Sequence, residues 1–352
     1  MLRFFRQIRQ KLIEQQNMRK YVWYALGEIF LVVIGILIAL QINNWNEERK
    51  QEEEAVKVLK DFQQSIQSNL SIDFHLMPMI QLDSVHYHIF SKSLEVDLLD
   101  KSRMIRPRDL IIDPMTTFAR STGYLENQNV STILENERIF PERFSRSLFL
   151  VRRLNAAFQT MKSEGEEMQE LQQENLLYMS SNEWMYSTDD ESMRKRIEFY
   201  HTDTFFRNRL KHFNELNSGI SSQYDIWTKY QLLFWLEFQM VVDGKDFIDL
   251  IEPVESLGYK KAEIVPCNNE AIENPIHSFG YWIPIYNSTS EPVEIYWRNP
   301  DTGEQNIFGI IQPGALTASY TRNDFPFIQV GSNNTCQQQY ATSWTDFIVI
   351  KD

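Results

Sequence analysis

One run decides where this chain can go. From Tyr21 to Ile42 it reads YVWYALGEIFLVVIGILIALQI, and ten of the twelve residues from Ile29 to Leu40 are Ile, Leu, Val or Phe. As a helix, about 22 residues rising about 1.5 Å each reach about 33 Å, enough to cross a bilayer's hydrocarbon core. At about 0.3–0.6 kcal/mol each, the ten favour insertion by roughly 3–6 kcal/mol. Residues 21–42 therefore read as a single-span anchor, with the lipid bilayer as their partner. A cleaved signal peptide is the rival reading. It needs a shorter apolar core and a small-x-small cleavage site, whereas this core runs on into Gln41-Ile42-Asn43-Asn44-Trp45.

Charge sets the direction. Arg3, Arg6, Arg9, Lys11, Arg19 and Lys20 precede the span against one acid, Glu14; beyond it, NNWNEERKQEEE carries five acids and two bases. Bases resist translocation, so residues 1–20 are expected in the cytoplasm and the bulk of the chain outside it. Within the span, Glu28 is a functional candidate, because an intramembrane acid is expensive to keep. Its plainer role is to lie at headgroup level beside Tyr21, Trp23 and Tyr24, with Trp45 at the other boundary. Gly35 and Ala39 form a small-xxx-small pair that would let two helices approach, which leaves a homo-oligomer as one partner reading.

The run FFRQIRQKLIEQQNMRKYVWYALGEIFLVVIGILIALQINNWNEERK resembles the opening of an uncharacterised bacterial family, domain of unknown function 6090. The shared features are a basic FFR-IR-KL start, a YAIGEI-like entry to the span and an ALQINNWNE exit. The resemblance implies a protein of the bacterial inner membrane, with its exported bulk in the periplasm. It implies no activity.

Net charge is −13, and the first twenty residues contribute +5, leaving −18 for the rest. An acidic exported part argues against nucleic acid as a partner. The basic arm fits anionic headgroups instead, with Leu2, Phe4, Phe5, Ile8 and Leu12 on one face.

Residues 43–257 read as helical. Ala55, Leu59, Phe62, Ile66, Leu70 and Phe74 recur at steps of three and four, predicting an amphipathic helix that leaves the span and ends near Met77-Pro78. Shorter helices are expected over 80–99, 115–124 and 129–135. Two long ones follow. The first starts near Pro141 with the stripe Phe144, Leu148, Val151, Phe158, Met161, Met168, Leu171 and Met179. The second, with Asp203 as N-cap, shows Phe206, Leu210, Phe213, Ile220, Tyr224, Trp227, Phe234, Phe238 and Val241. Their coiled-coil-like spacing predicts one buried face each, paired in an antiparallel hairpin or bundle.

After Leu257-Gly258 the composition changes to short runs rich in Tyr, Trp, Ile and Val between turn signals such as Pro313-Gly314. Residues 258–352 therefore read as a small β-sandwich, and the whole chain as mostly α with a C-terminal β-region. Alternation puts Val293, Ile295 and Trp297 on a buried face. The stretch YNSTSEPVEIYWRNPDTGEQNIFGIIQPGALTASYTRNDFPFIQV also resembles the β-domain of the von Hippel–Lindau tumour suppressor, an interaction module that captures an extended hydroxyproline peptide. The resemblance implies a peptide groove formed by Trp297, Phe308, Thr321, Phe325 and Phe327. Where that family has Tyr and His, this chain has Phe308 and Phe325, so the groove is expected to take an apolar side chain rather than a hydroxyl. The alternative is that these aromatics fill the sandwich core.

No motif of catalysis or cofactor binding is present: no HExxH, P-loop, G-x-S-x-G or G-x-G-x-x-G. No metal or cofactor is expected. The two cysteines, Cys267 and Cys336, fall in an exported region where an oxidising compartment favours pairing, and we predict a disulfide between them. Two unpaired thiols are the alternative. The leading expectation is thus a non-catalytic, membrane-anchored protein that presents its β-region to another envelope protein or a peptide. A transmembrane sensor is the second class and an enzyme the third.

Overall fold

A computed structural model describes residues 18–67, 70, 128–185, 187, 189–267, 280–298, 305–322, 327–332 and 335–351. Helices expected over 80–99 and 115–124 lie outside them. The chain divides into two units, one holding residues up to Lys57 with Arg138–Glu142, the other the rest from Val58.

In the first unit the main feature is α1, which runs from Met18 to Gln67 and so continues into the second. From Leu26 onward it is long and apolar enough to cross a membrane, and none of its apolar window is buried inside the protein. Ile29, Phe30, Leu31, Leu37, Ile42 and Trp45 all face outward, Gly35 is exposed with open space where a Cβ would stand, and Glu28 is half-buried. Span and amphipathic stretch are one helix, as expected. Its described end, Gln67, falls ten residues before Met77.

In the second unit α2 (Gln128–Glu135) leads through short 3-10 turns to α3 (Ser145–Ser180). The sequence placed this start at Pro141; a 3-10 turn over Glu142–Phe144 intervenes, and the α-helix begins after it. Two further helices follow, α4 (Asp190–Thr202) and α5 (Thr204–Val241). Asp189 caps α4 by accepting from the Ser192 N–H at 2.9 Å, and Asp203 caps α5 by accepting from the Phe206 N–H at 2.7 Å, which satisfies donors that lack helical partners.

Helices α3 and α5 are antiparallel. Arg146 meets Glu237 at 3.2 Å, Glu167 meets His212 at 2.9 Å and Glu174 meets Arg209 at 2.7 Å, so positions rise along one helix as they fall along the other. The predicted stripes are the packed faces: Phe144, Val151, Met161, Phe206, Phe213 and Ile220 are buried. Phe62 of α1 adds its ring edge-on to Phe234 of α5, with centroids 4.8 Å apart.

One expectation fails instructively. The spacing predicts one buried face for α5, yet every residue from Trp227 to Phe234 is buried. The reason is that α5 contacts α3 and also lies against the strands β3 (Gly280–Asn287) and β6 (Leu316–Arg322). A helix with packed neighbours on more than one side is buried on more than one face, and polar residues there need partners in the protein.

After α6 (Phe247–Ser256) come β1 (Lys260–Lys261), β2 (Glu263–Val265) and β3, then β4 (Val293–Arg298), β5 (Gln305–Ile311) and β6. The chain closes with β7 (Phe327–Ser332), β8 (Thr335–Ala341) and β9 (Asp346–Ile350). They form two sheets, one ordered β1-β9-β3-β6 and the other β2-β8-β7-β4-β5. Pairing is antiparallel throughout the second sheet, whereas β9 runs parallel to both β1 and β3 in the first. Tyr281, Ile283, Ile285, Ile348 and Ile350 from one sheet join Val293, Ile295, Ile311, Ile328, Val330 and Tyr340 from the other in one apolar cluster.

Candidate functional site: an exposed sheet edge and a buried ion pair

The stretch QNIFGII has apolar side chains on both strand phases, and one buried face cannot take them all. Ile311 points into the core, and the rest are left outside: Ile307 is 55 %, Phe308 48 % and Ile310 60 % exposed. The strand ends the five-stranded sheet, pairing with β4 alone among the described residues. In that pairing Ile295 faces Gly309 and Tyr296 faces Ile307, so Phe308 is the extra residue of a bulge. A bulge redirects a side chain and bends the strand that carries it. At its end β5 turns through Gln312-Pro313-Gly314-Ala315, where Gly314 has φ +68° and the Ala315 N–H donates to the Gln312 carbonyl at 3.0 Å. Proline presets the second turn position and glycine supplies the positive φ of the third. Gln305, Asn306 and Gln312 leave the edge uncharged.

The structure distributes the five groove candidates unequally. Phe308 is at the surface on β5. Thr321 on β6 and Phe327 on β7 are buried, so they offer a ligand no surface here. Trp297 lies on β4 opposite Asn306, and Phe325 lies outside the described residues. Phe327 lies on β7, between β4 and β8 in the second sheet, and Thr321 lies on β6, which pairs with β3 and lies against α5. Ile307 and Ile310, which the groove pattern omits, are the exposed neighbours of Phe308. Their signal was the doubled apolar phase of the strand.

A disulfide joins Cys267 to Cys336, with Cα atoms 6.2 Å apart. It ties the segment after β2 to β8, and the Cys267 carbonyl also accepts from Gln329 Nε2 at 3.3 Å.

A second cluster lies where α5 meets the first sheet. Asp225 and Lys229 sit one turn apart on α5, both buried. Asp225 Oδ2 accepts from the main-chain N–H of Trp282 at 2.6 Å, and Lys229 Nζ donates to the Trp344 carbonyl. The ammonium also stands 4.7 Å from the Tyr259 ring centroid, a cation–π contact. Burial pushes the Asp225 carboxyl up to about 6, against the pull of Lys229 and the Trp282 N–H; burial draws Lys229 down to about 8, against Asp225 and Asp346. Tyr259 is fully buried and raised far above the usual phenol range, and its hydroxyl has no partner among the described residues. Buried side chains with shifted protonation often mark catalytic sites. Asp225 and Lys229 are buried and turned onto main-chain atoms, so they present nothing to a substrate. Sequence periodicity missed them because Asp225 and Lys229 fall between the positions of the apolar stripe. No three His, Cys, Asp or Glu residues stand together as a metal would require, among the described residues.

Residues 28–100 match the model of a family of unknown function (DUF6090). The resemblance drawn from the apolar run and its exit is borne out. The match covers 73 of the 352 residues and includes the span from Glu28 onward but none of the strands. No curated protein and no solved structure matches the chain.

Proposed function

We propose that this is a non-catalytic envelope protein, anchored in the bacterial inner membrane by α1 with its N-terminus cytoplasmic, whose periplasmic β-sandwich binds an extended apolar segment of another protein. The observation that carries it is the uncharged edge strand β5 with Ile307, Phe308 and Ile310 exposed. An open edge offers alternating N–H and C=O groups to an incoming strand, and exposed side chains beside it supply selectivity. The von Hippel–Lindau resemblance supports the same use of the region. The groove is redrawn around Phe308 and its β5 neighbours, because Thr321 and Phe327 are interior.

Two experiments test it. Alkaline phosphatase fused after Asp352 is expected to be active, since it folds only when exported; an inactive fusion overturns the topology. A photocrosslinking phenylalanine analogue at position 308 is expected to capture a protein in native membranes. Ile310→Lys should abolish the adduct while leaving the melting temperature unchanged. Persistence of the adduct in that variant would remove the edge from the proposal.

A sensor is the second reading, favoured by the unbroken course of α1 from the apolar run to Gln67. It requires a cytoplasmic partner for residues 1–20, so a deletion of Arg3–Arg9 that changes no protein's activity in the cell would exclude it.

A further inference from the structure

Asp225 and Lys229 bind main-chain atoms on two adjoining strands. Asp225 holds the Trp282 N–H of β3; Lys229 holds the Trp344 carbonyl, two residues before β9. Those strands are parallel neighbours, in register at Ile285↔Ile348. Around the pair the contacts are mostly apolar and aromatic, such as Tyr230 against Trp282 with centroids 6.4 Å apart. Contacts of that kind are non-directional and survive small slides of a helix along a sheet. A buried charge does not: if α5 slid or rotated, each ion would lose its main-chain partner in a dry interior. The other titratable groups facing the pair are Tyr224 on α5, Tyr259 before β1, Tyr281 on β3 and Asp346 on β9. None of them replaces the two main-chain bonds.

We propose that Asp225 and Lys229 form an alignment pin, which holds α5 in one register on the β3–β9 strand pair and lowers stability in doing so. Buried ion pairs replaced by apolar residues often leave a protein as stable or more so. The pin therefore contributes uniqueness of docking rather than strength. It goes beyond the binding proposal and does not depend on it, because it concerns the interior and not the β5 edge.

The test uses the full chain in lipid nanodiscs, comparing wild type, Asp225→Asn, Lys229→Met and the double variant. Melting is followed by circular dichroism, and docking by 5-fluorotryptophan signals of Trp282 and Trp344, each assigned by a Trp→Phe exchange. At pH 7 each single variant removes a charge that burial penalises, so each is expected to melt at or above wild type, and so is the double variant. In the double variant the two fluorine signals are expected to split or broaden as α5 samples more than one register. A double variant that melts below wild type would overturn the proposal, since the pair would then be a source of stability. So would a double variant at or above wild type with two single, sharp signals, since docking would not need the pair.

Discussion

Two helical stretches in this chain are rich in large apolar side chains and meet opposite surroundings. From Ile29 to Leu40, α1 has no polar side chain and none of it is buried among the described residues. From Trp227 to Phe234, α5 is buried on every side. Hydrophobicity alone does not separate a helix solvated by lipid from one solvated by protein. The polar residues do. Thr228, Lys229 and Gln231 interrupt the second run and Glu237 and Gln239 follow it, and several have protein partners: Trp344 for Lys229, Arg146 for Glu237, Lys245 for Gln239. Lipid offers no such partners, so a span keeps these residues out.

Matched truncations sharpen that comparison most. Phe234→Ala removes a buried ring that packs on Phe62 and is expected to destabilise the second unit by about 3–5 kcal/mol. Leu37→Ala, on the exposed apolar run, should leave the same melting transition in place. Equal losses in the two variants would mean that α1 is covered by protein after all.

Removing the disulfide comes next. It closes a loop with sequence separation 69, and the Cys267→Ser/Cys336→Ser variant is expected to lose about 2–4 kcal/mol in denaturant titration. The loss should fall on the β-region, and a melt unchanged by the double exchange would show that the crosslink constrains little.

Acidity gives a third effect, with an unusual sign. Asp225 is held at about 6, above its ordinary 3.8, so the folded protein takes up its proton more readily than the unfolded chain. Its contribution to stability therefore rises as pH falls from 6 towards 4, by about 2–3 kcal/mol at about 1.4 kcal/mol per pH unit. Lys229, lowered to about 8, acts in reverse and adds stability as pH rises from 8 towards 10.5. Wild type measured against Asp225→Asn/Lys229→Met, which titrates at neither site, should show this minimum near neutrality. A flat difference curve would mean that the two charges are solvated.

The smallest change belongs to the edge. Phe308→Ala should move stability by under about 0.5 kcal/mol, because its ring is half in solvent, while Phe327→Ala on buried β7 should cost about 3 kcal/mol or more. A large loss at Phe308 would make it core.

Much of this organisation was legible in the residues. An apolar run of bilayer length, the stripes of α3 and α5, the cap at Asp203 and the change to strands after Gly258 all depend on local periodicity, composition or one side chain bonding its own backbone. Such features are set within a few residues of chain. The neighbours of α5 were not legible, since they depend on strands that begin about forty residues later. That contact alone turned a one-faced helix into a buried one and gave Asp225 and Lys229 their partners. The edge was half legible: Ile307, Phe308, Ile310 and Ile311 occupy both phases of one strand, which already says some must be exposed. Which side faced out was decided by sheet order, by the bulge at Phe308 and by β4 being its one paired strand among the described residues. Periodicity records which residues share a face, and only the folded chain determines what that face meets.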